Sequence, residues 1–355
     1  MNLPPIAPPD EAARAAAHAR WTACAHPLGG LGVLETLLEE IAALTGRPKI
    51  FLTPRSVLVL CADNGVVAQG VTQTGSAVTG VVARGLARGS TSVCRMAAVA
   101  GCRVVPVDMG VKDFEATPGV LDRRIGNGTG DITRGPAMTR AQAERAIQTG
   151  IDLVAEEKER GTKLLATGEM GIGNTTTTSA VTAALLGLPP DSVTGRGAGL
   201  SDDGLRRKRE AVAKALRVNA PDPSDPIDVL SKVGGFDLAG LCGVFLGGAL
   251  HRVPILVDGA ISAAAALCAV RLAPAAAQAV IATHLPAEPA GRLLLEALGK
   301  RPFLAAELRL GEGTGAVAAI PLLDMARAVY AEGGSFEDCG IPAYQPLGGK
   351  SCSRL

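Results

Sequence analysis

The sequence predicts an α/β fold with a mostly parallel sheet flanked by helices. Five short apolar runs each end in a polar or ionisable residue, which is typical of parallel strands that are buried on both faces. Helical periodicity marks the segments around these runs, and both ends of the chain are predicted to be helical. Ligands bind outside the carboxyl ends of parallel strands, so the polar residues predict a functional site at that edge.

Composition limits the possible functions. The chain has 355 residues, enough for one large α/β unit with a small appendage or for two modest domains. The net charge is +1 and 19% of residues are charged, which gives no electrostatic footprint for nucleic acid or a lipid surface. Aromatic residues make up 3%, too few for a platform that stacks bases. We therefore expect small-molecule substrates, with neither nucleic acid nor a membrane as partner.

The eight cysteines include no C-x-x-C pair. Five lie in apolar runs, where the usual interpretation is a small buried hydrophobe: Cys61, Cys94, Cys102, Cys242 and Cys268. No signal peptide is apparent, so reduced thiols and a cytoplasmic location are expected. No apolar run reaches the roughly 18 residues of a membrane span.

Taken in order, the chain begins with two predicted helices. Asp10–Thr22 is alanine-rich with helical periodicity, and Asp10 is suited to cap it. Val33–Leu44 is amphipathic. The helices predicted further along are Val81–Ala100, Thr139–Lys158 with capping-box spacing from Thr139 to Gln142, Ser179–Leu186, one that starts near Arg206–Arg209, and Ala316–Tyr330. Gly333–Leu355 is expected to be a partly ordered tail.

The five predicted strands are Val57–Cys61, Val104–Val107, Leu164–Ala166, Ile255–Val257 and Ala279–Ala282. The polar residues that follow them include Asp63, Asp108, Glu169, Asp258 and His284. A single aspartate in such a place could equally cap the next helix. Repetition across five strands makes a shared site the better interpretation.

The glycine-rich stretch Thr167–Thr178 lies between a predicted strand and a predicted helix. Its glycines let main-chain N–H groups approach an anion, and the helix start directs its positive end to the same place. The stretch lacks the Lys-Ser or Lys-Thr of a Walker loop, and its G-x-x-G-x-G spacing is not the dinucleotide fingerprint. A tight strand-to-helix turn would also need glycine. Glu169 favours a substrate site, because a carboxylate beside a phosphate must serve some other group.

A second carboxylate, Glu312, stands between Gly311 and Gly313. Since glycines present no side-chain wall, this carboxylate is expected to meet a substrate closely. The basic run Arg206–Arg209 opens a helix, and charge alone favours a solvated helix face for it.

Six motifs occur in order between about His26 and Tyr330. They are Cys61–Gly65, Gly168–Thr176, Gly195–Leu200 with Lys208, Ser231–Asp237, Val257–Gly259 and Arg309–Gly313. In these motifs the chain resembles the nicotinate-nucleotide–dimethylbenzimidazole phosphoribosyltransferases of cobalamin assembly. The resemblance implies transfer of a 5-phosphoribosyl group from nicotinate mononucleotide to 5,6-dimethylbenzimidazole, yielding α-ribazole 5′-phosphate and nicotinate.

The resemblance also implies roles for individual residues. Glu312 matches the general base, which takes the N–H proton of the incoming ring, and Glu169 matches a second carboxylate in the site. The residues implied to bind phosphate or ribose are Gly171, Gly173, Asn174, Thr175, Gly197 and Lys208. Those implied to contact the base are Thr74, Val82, Met170 and Leu310, with Asp63, Asp237, Asp258 and His284 in support. No metal or cofactor is implied.

Four positions depart from the family pattern. Asn64 stands where the family has histidine, Thr74 where it has serine, Val82 where it has glutamine, and Pro286 where it has serine. Threonine keeps the hydroxyl, but Val82 removes a hydrogen-bonding amide. The acceptor is therefore left open, with adenine, another benzimidazole or a phenol as alternatives to dimethylbenzimidazole.

The resemblance implies a large Rossmann-like catalytic domain over residues 40–315, a small helical domain from residues 1–39 and 316–355, and a homodimer. A non-catalytic nucleotide-binding subunit would be expected to lose its base, whereas both Glu169 and Glu312 are present. A nicotinamide-dependent oxidoreductase would need the G-x-G-x-x-G turn, which the sequence lacks.

Overall fold

The computed structural model describes Met1 and Leu3–Gln345. The chain divides into two compact units, Met1–Pro8 with Leu52–Ile320, and Pro9–Phe51 with Pro321–Leu355. The predicted functional division, with residues 40–315 as the catalytic domain, stays a prediction. Residues 346–355 of the expected carboxyl-terminal tail lie outside the described residues.

A six-stranded sheet runs through the larger unit. Its strands are β1 Arg55–Ala62, β2 Arg103–Gly110, β3 Leu121–Asp122, β4 Leu164–Met170, β5 Ile255–Val257 and β6 Val280–Ala282. The spatial order is β3-β2-β1-β4-β5-β6, and each neighbouring pair is parallel. This is the order of a Rossmann-like sheet, in which the direction of winding switches between β1 and β4. The predicted α/β class with a parallel sheet is confirmed.

Helices supply the rest of the regular structure. The α-helices of the described residues are α1 Glu11–Ala23, α2 Val33–Thr45, α3 Ala77–Ala87, α4 Ser92–Val99, α5 Arg140–Glu159, α6 Asn174–Leu186, α7 Pro190–Val193, α8 Asp202–Asn219, α9 Pro226–Val233, α10 Phe236–His251, α11 Ala260–Leu272, α12 Pro289–Ala297 and α13 Thr314–Glu332. Asp10 caps α1 by accepting from Ala13 N at 2.9 Å, and Thr139 with Gln142 forms the predicted capping box of α5. Among the helices of the described residues, none is both long and apolar enough to span a bilayer.

Two predicted helices differ from the structure at glycines. The predicted helix Val81–Ala100 is two helices, α3 and α4, because Gly89 has a left-handed backbone at φ +71°. The helix predicted from Ser179 begins earlier, at Asn174, directly after Gly173 at φ +95°.

Two strands also differ from the prediction. Strand β4 extends beyond its apolar run to Met170, so Glu169 is a strand residue and not part of the following turn. The sequence does not predict β3, since two residues are too few to show an apolar pattern.

Helix α10 is buried along most of its length, between α5 and the sheet. A Cβ on Gly150 of α5 would overlap the carbonyl oxygen of Gly240, and one on Gly243 would overlap that of Ile147. The two helices therefore cross backbone to backbone. A Cβ on Gly240 would also lie 2.8 Å from Leu60 of β1, so glycine lets α10 lie directly on the sheet.

The predicted burial of the cysteines holds for three of the five. Cys61, Cys242 and Cys268 are buried, and burial raises the pKa of each thiol. The prediction is wrong for Cys94 and Cys102, which are partly exposed because they lie on the short helix α4 and in the turn before β2.

Candidate active site

A cavity of about 530 Å³ opens at the carboxyl edge of the sheet, within the larger unit. Segments that follow β1, β4, β5 and β6 line it, so it lies at the switch point of the strand order. A last segment, residues 308–315, completes the lining. The volume falls within the usual range for small-molecule sites.

Most of the predicted site residues line this cavity: Thr74, Val82, Glu169, Met170, Gly171, Gly173, Asn174, Thr175, Gly197, Asp258, His284, Leu310 and Glu312. Lys208 and Asp237 lie behind the lining, each hydrogen-bonded to a residue that belongs to it. Asp63 is separated from the lining by one more hydrogen-bonded residue, Thr79. Residues that are far apart in the chain therefore meet at one place, as the strand pattern predicts.

The turn between β4 and α6 packs on the segment after β1. A Cβ on Gly171 would overlap the carbonyl oxygen of Ala62, and one on Gly173 would lie 2.9 Å from Val67. Both glycines are thus needed for packing. This agrees with the alternative reason for glycine in this stretch, that a tight strand-to-helix turn requires it. The turn also leaves α6 without a side-chain N-cap, so the positive end of the helix borders the cavity.

Lys208 lies on α8 and is 1% exposed. The expected solvated face holds for Arg206 and Arg207 and is wrong for Lys208. Its Nζ donates to Thr175 Oγ1 at 2.8 Å, which leaves two ammonium protons for an anion. Burial lowers the pKa of Lys208 to about 8, and the charge of Glu288 opposes this shift.

Glu169 is buried near the end of β4. Asn174 Nδ2 donates to Glu169 Oε2 and, at 3.1 Å, to Asp237 Oδ2, so one amide bridges two carboxyl groups. Burial raises the pKa of Glu169 to about 8, and the charge of Asp237 adds to the increase. The raised pKa favours the protonated form of Glu169 at neutral pH.

Two further carboxyl groups hold neighbouring segments. Asp237 accepts from Leu238 N at 2.9 Å, and burial raises its pKa to about 6. Asp63 accepts from Thr79 Oγ1 at 2.7 Å and from Lys112 N at 2.8 Å, and burial raises its pKa as well. Within the described residues, no three His, Cys, Asp or Glu side chains are grouped so that they could hold a metal ion.

Glu312 is attached to β4 through its main chain. Its N–H donates to the carbonyl oxygen of Glu169 at 3.2 Å, and a Cβ on Gly168 would lie 2.6 Å from the carbonyl oxygen of Glu312. The backbone of Glu312 is left-handed at φ +60°, which costs about 1–3 kcal/mol and is typical of functional sites. Its Oε2 accepts from Val93 N at 3.3 Å, at the start of α4, and this bond orients the carboxylate.

Asp258 holds the turn that carries Glu312. It accepts from the N–H groups of Gly313 at 3.2 Å, Gly315 at 2.7 Å and Ala316 at 3.1 Å. Burial raises the pKa of Asp258 and lowers that of its neighbour His284, while each group's charge opposes the other's shift.

The predicted base-contacting residues are Thr74, Val82, Met170 and Leu310. They present mostly apolar side chains to the cavity, and Leu310 is 57% exposed. Of the departures from the family pattern, Pro286 also lines the cavity. Asn64 does not, because it is buried behind the β4–α6 turn, where its Nδ2 donates to the carbonyl oxygen of Ala62 at 3.5 Å.

Val93 and Thr178 are two of the site features that the sequence predictions do not include. Val93 contributes only a main-chain N–H, for which a sequence carries no signal. Thr178 lines the cavity four residues after Asn174, so helical i, i+4 spacing could have identified it.

The fold and the cavity define the class of this protein, an α/β enzyme with a substrate site at the switch point of a parallel sheet. A family model described as Phosphoribosyltransferase matches residues 6–341. The crystal structure of CobT from Thermus thermophilus has a TM-score of 0.89 and 41% identity, covering 94% of this chain and all of the other.

Two named relatives narrow the family. A nicotinate-nucleotide–dimethylbenzimidazole phosphoribosyltransferase from Acetivibrio thermocellus is 47% identical over 327 residues, covering 92% of this chain and 93% of its own length. The protein of the same name from Ruminiclostridium cellulolyticum is 46% identical over 321 residues, with 90% and 91% covered. The chain belongs to the nicotinate-nucleotide–dimethylbenzimidazole phosphoribosyltransferase family.

Proposed function

We propose that this protein transfers the 5-phosphoribosyl group of nicotinate mononucleotide to 5,6-dimethylbenzimidazole, in assembly of the cobalamin nucleotide loop. The products are α-ribazole 5′-phosphate and nicotinate. One observation carries the proposal: the Glu312 carboxylate and the uncapped start of α6 border the same cavity. The names of the relatives support it.

In the proposed donor complex, the 5′-phosphate lies at the start of α6. A Cβ on Gly197 would lie 2.9 Å from Thr175 Oγ1 and 3.3 Å from Lys208 Nζ, so glycine keeps the space between them open. The helix end, the hydroxyl and the ammonium group all favour an anion there. Each charge-assisted hydrogen bond contributes roughly 1.5–3 kcal/mol.

Glu312 is the proposed general base. It removes the N–H proton of the acceptor ring while the other ring nitrogen attacks C1′ of the ribose. The bond from C1′ to nicotinate breaks, and its electron pair neutralises the positive ring nitrogen of the leaving group. Attack on the opposite face converts a β-linkage into an α-linkage. A positioned base typically contributes about 10²–10⁴-fold to the rate.

Glu169 is proposed to respond to the charge of the donor. In the free enzyme it keeps its proton because it is buried next to Asp237. The positive nicotinate ring lowers the pKa of a nearby carboxyl group, so donor binding favours its ionised form. The resulting carboxylate would stabilise positive charge that develops on the ribose. Asp258 supports this arrangement by holding the Glu312 turn, His284 packs against Gly315 of that turn, and Asp63 holds an adjoining segment.

A second candidate function keeps the donor and changes the acceptor. Val82 and Pro286 offer no side-chain hydrogen bond to a ring in the cavity, which motivates adenine, another benzimidazole or a phenol as acceptor. In competition, equal or better use of dimethylbenzimidazole would rule this candidate out.

We further propose a cytoplasmic homodimer. The exposure of Leu310 at the cavity supports a second subunit that covers it. Sedimentation equilibrium at micromolar concentration measures the assembly directly, and a monomer there would contradict the proposal.

The decisive experiment mixes the purified protein with nicotinate mononucleotide and each of several bases. Chromatography with mass detection follows free nicotinate and the ribotide. We expect both products in equal amounts with dimethylbenzimidazole. Tight binding of nicotinate mononucleotide without nicotinate release, whatever the base, would instead indicate a non-catalytic nucleotide-binding subunit.

A further inference from the structure

Helix α6 carries six hydroxyl side chains, and three of them follow one rule. In a helix, a serine or threonine hydroxyl normally donates to a carbonyl one turn earlier. Thr177, Ser179 and Thr182 do so, at 3.0, 2.8 and 2.8 Å. The hydroxyls of Thr176 and Thr178 are buried and have no partner within the described residues.

These two unpartnered hydroxyls differ in where they lie. Thr178 lines the substrate cavity and is 3% exposed, whereas Thr176 is fully buried and does not line the cavity. Leaving a buried hydroxyl unpaired costs about 1–3 kcal/mol. The Thr178 hydroxyl oxygen has no exposed surface in its present rotamer, but Thr178 borders the cavity, and rotation about χ1 exchanges the hydroxyl with the methyl group so that a bound ligand can supply the partner. At Thr176 the cavity offers no such route.

The surroundings of Thr178 determine whether an anion or a cation is favoured as its hydrogen-bond partner. Thr178 lies three residues after Thr175 and four after Asn174, so it shares their face of α6, with Cβ atoms roughly 5–6 Å apart. Thr175 Oγ1 is occupied as an acceptor by Lys208 Nζ at 2.8 Å. The ammonium group and the positive helix end make this face favourable for an anion and unfavourable for a cation.

We propose that Thr178 is a substrate-binding residue whose hydroxyl donates a hydrogen bond to a phosphate oxygen of the phosphoribosyl donor. The inference rests on the proposed function, because it takes the anion to be the donor's 5′-phosphate. Thr175 and Thr178 on the first two turns of α6, together with Lys208 of α8, then form one phosphate site.

The test compares Thr178→Val with the matched control Thr176→Val, since both remove an unpartnered buried hydroxyl from the same helix at constant shape. We expect Thr178→Val to raise the KM for nicotinate mononucleotide about 10- to 100-fold, as for loss of a hydrogen bond to a charged group. The KM for the acceptor should stay the same. Thr176→Val should leave both constants within about twofold, and Thr178→Ser should restore donor affinity.

A second measurement separates this inference from the proposed function. Inorganic phosphate is titrated calorimetrically into wild type and each variant, without any turnover. We expect Thr178→Val to weaken phosphate binding while Thr176→Val does not. Melting temperatures confirm that each variant is folded. Phosphate affinity and donor KM of Thr178→Val within twofold of wild type would overturn the inference, whereas absence of turnover in wild type would overturn only the proposed function.

Discussion

Two regions of the cavity are built in different ways. The proposed donor wall, made of Asn174 and Thr175 with Lys208 directly behind them, is polar and largely buried, and each side chain has a specific hydrogen-bond partner. The acceptor wall, made of Thr74, Val82 and Leu310, is mostly apolar and more exposed. A substitution in the donor wall leaves a buried group unpaired, whereas one in the acceptor wall mainly changes shape. With the proposed site assignments, recognition of the donor is therefore tied to the folded core, and choice of acceptor is not.

The largest expected effect lies where the two walls meet, at the proposed base. Glu312→Gln should lower kcat by about 10²–10⁴-fold, because the amide cannot accept a proton. The KM values should change little, since the main-chain bond to Glu169 remains. Steady-state kinetics measures kcat and both KM values. Glu307→Gln is the control, because Glu307 is an exposed carboxylate close by in the chain. A Glu312→Gln enzyme within a few-fold of wild type would remove Glu312 from this role.

Lys208→Met tests whether the donor wall acts separately. We expect the KM for nicotinate mononucleotide to rise about 10- to 100-fold, because a charge-assisted phosphate contact is lost. The KM for the acceptor should remain unchanged. Lys214→Met, an exposed lysine of the same helix, is the control. An equal rise in both KM values would show that the two walls are not independent.

The raised pKa of Glu169 predicts that the stability of the protein depends on pH. Its folded-state pKa, about 8, lies above its ordinary value of 4.5, so between these values the folded state holds a proton that the unfolded state has lost. The free energy of unfolding then falls with rising pH, by about 1.4 kcal/mol per unit from this group. Below pH 4.5 both states are protonated and the dependence ends.

Urea unfolding of wild type and Glu169→Gln at about pH 6.5 and 7.5 measures this contribution. Lys208, whose pKa is lowered by burial, is present in both proteins, so its contribution cancels in the comparison. We expect the variant to lose less stability than wild type over the interval. Equal losses in both proteins would mean that Glu169 is ionised in the free enzyme.

The smallest expected effect concerns the acceptor wall. Val82→Gln restores a hydrogen-bonding amide and should shift the ratio of kcat/KM for adenine over dimethylbenzimidazole by about tenfold or less, as for one exposed hydrogen bond. The KM for the donor should stay constant. Val81→Gln, at the exposed neighbouring position, should leave the ratio unchanged. A changed donor KM in Val82→Gln would break the distinction between the walls.

The strand ends and the position of the site follow from local patterns in the sequence. Val57–Cys61, Leu164–Ala166 and Ile255–Val257 are apolar runs within or equal to observed strands, and parallel pairing brings the residues after them to one edge. The break between α3 and α4 also has a local cause, since Gly89 is left-handed.

Long-range contacts account for what the sequence does not predict. The charge pattern around Lys208 suggests a solvated lysine, but the packing of α8 on α6 buries it. Contact between Glu312 and Glu169 runs through main-chain atoms, which carry no residue-specific signal. The Val93 N–H that orients the carboxylate is equally invisible in the sequence.

The direct contact between Gly168 and the carbonyl of Glu312 has a consequence for how such enzymes diversify. Main-chain contacts with β4, together with the Asp258 side chain, fasten the turn of the proposed reactive carboxylate, so exchange of other side chains around it leaves the turn in place. A lineage can thus acquire a new aromatic substrate by exchanging a few rim residues while its bond-forming step stays intact. Gly168 itself cannot take part in that drift, since any larger residue would push the Glu312 turn off the strand.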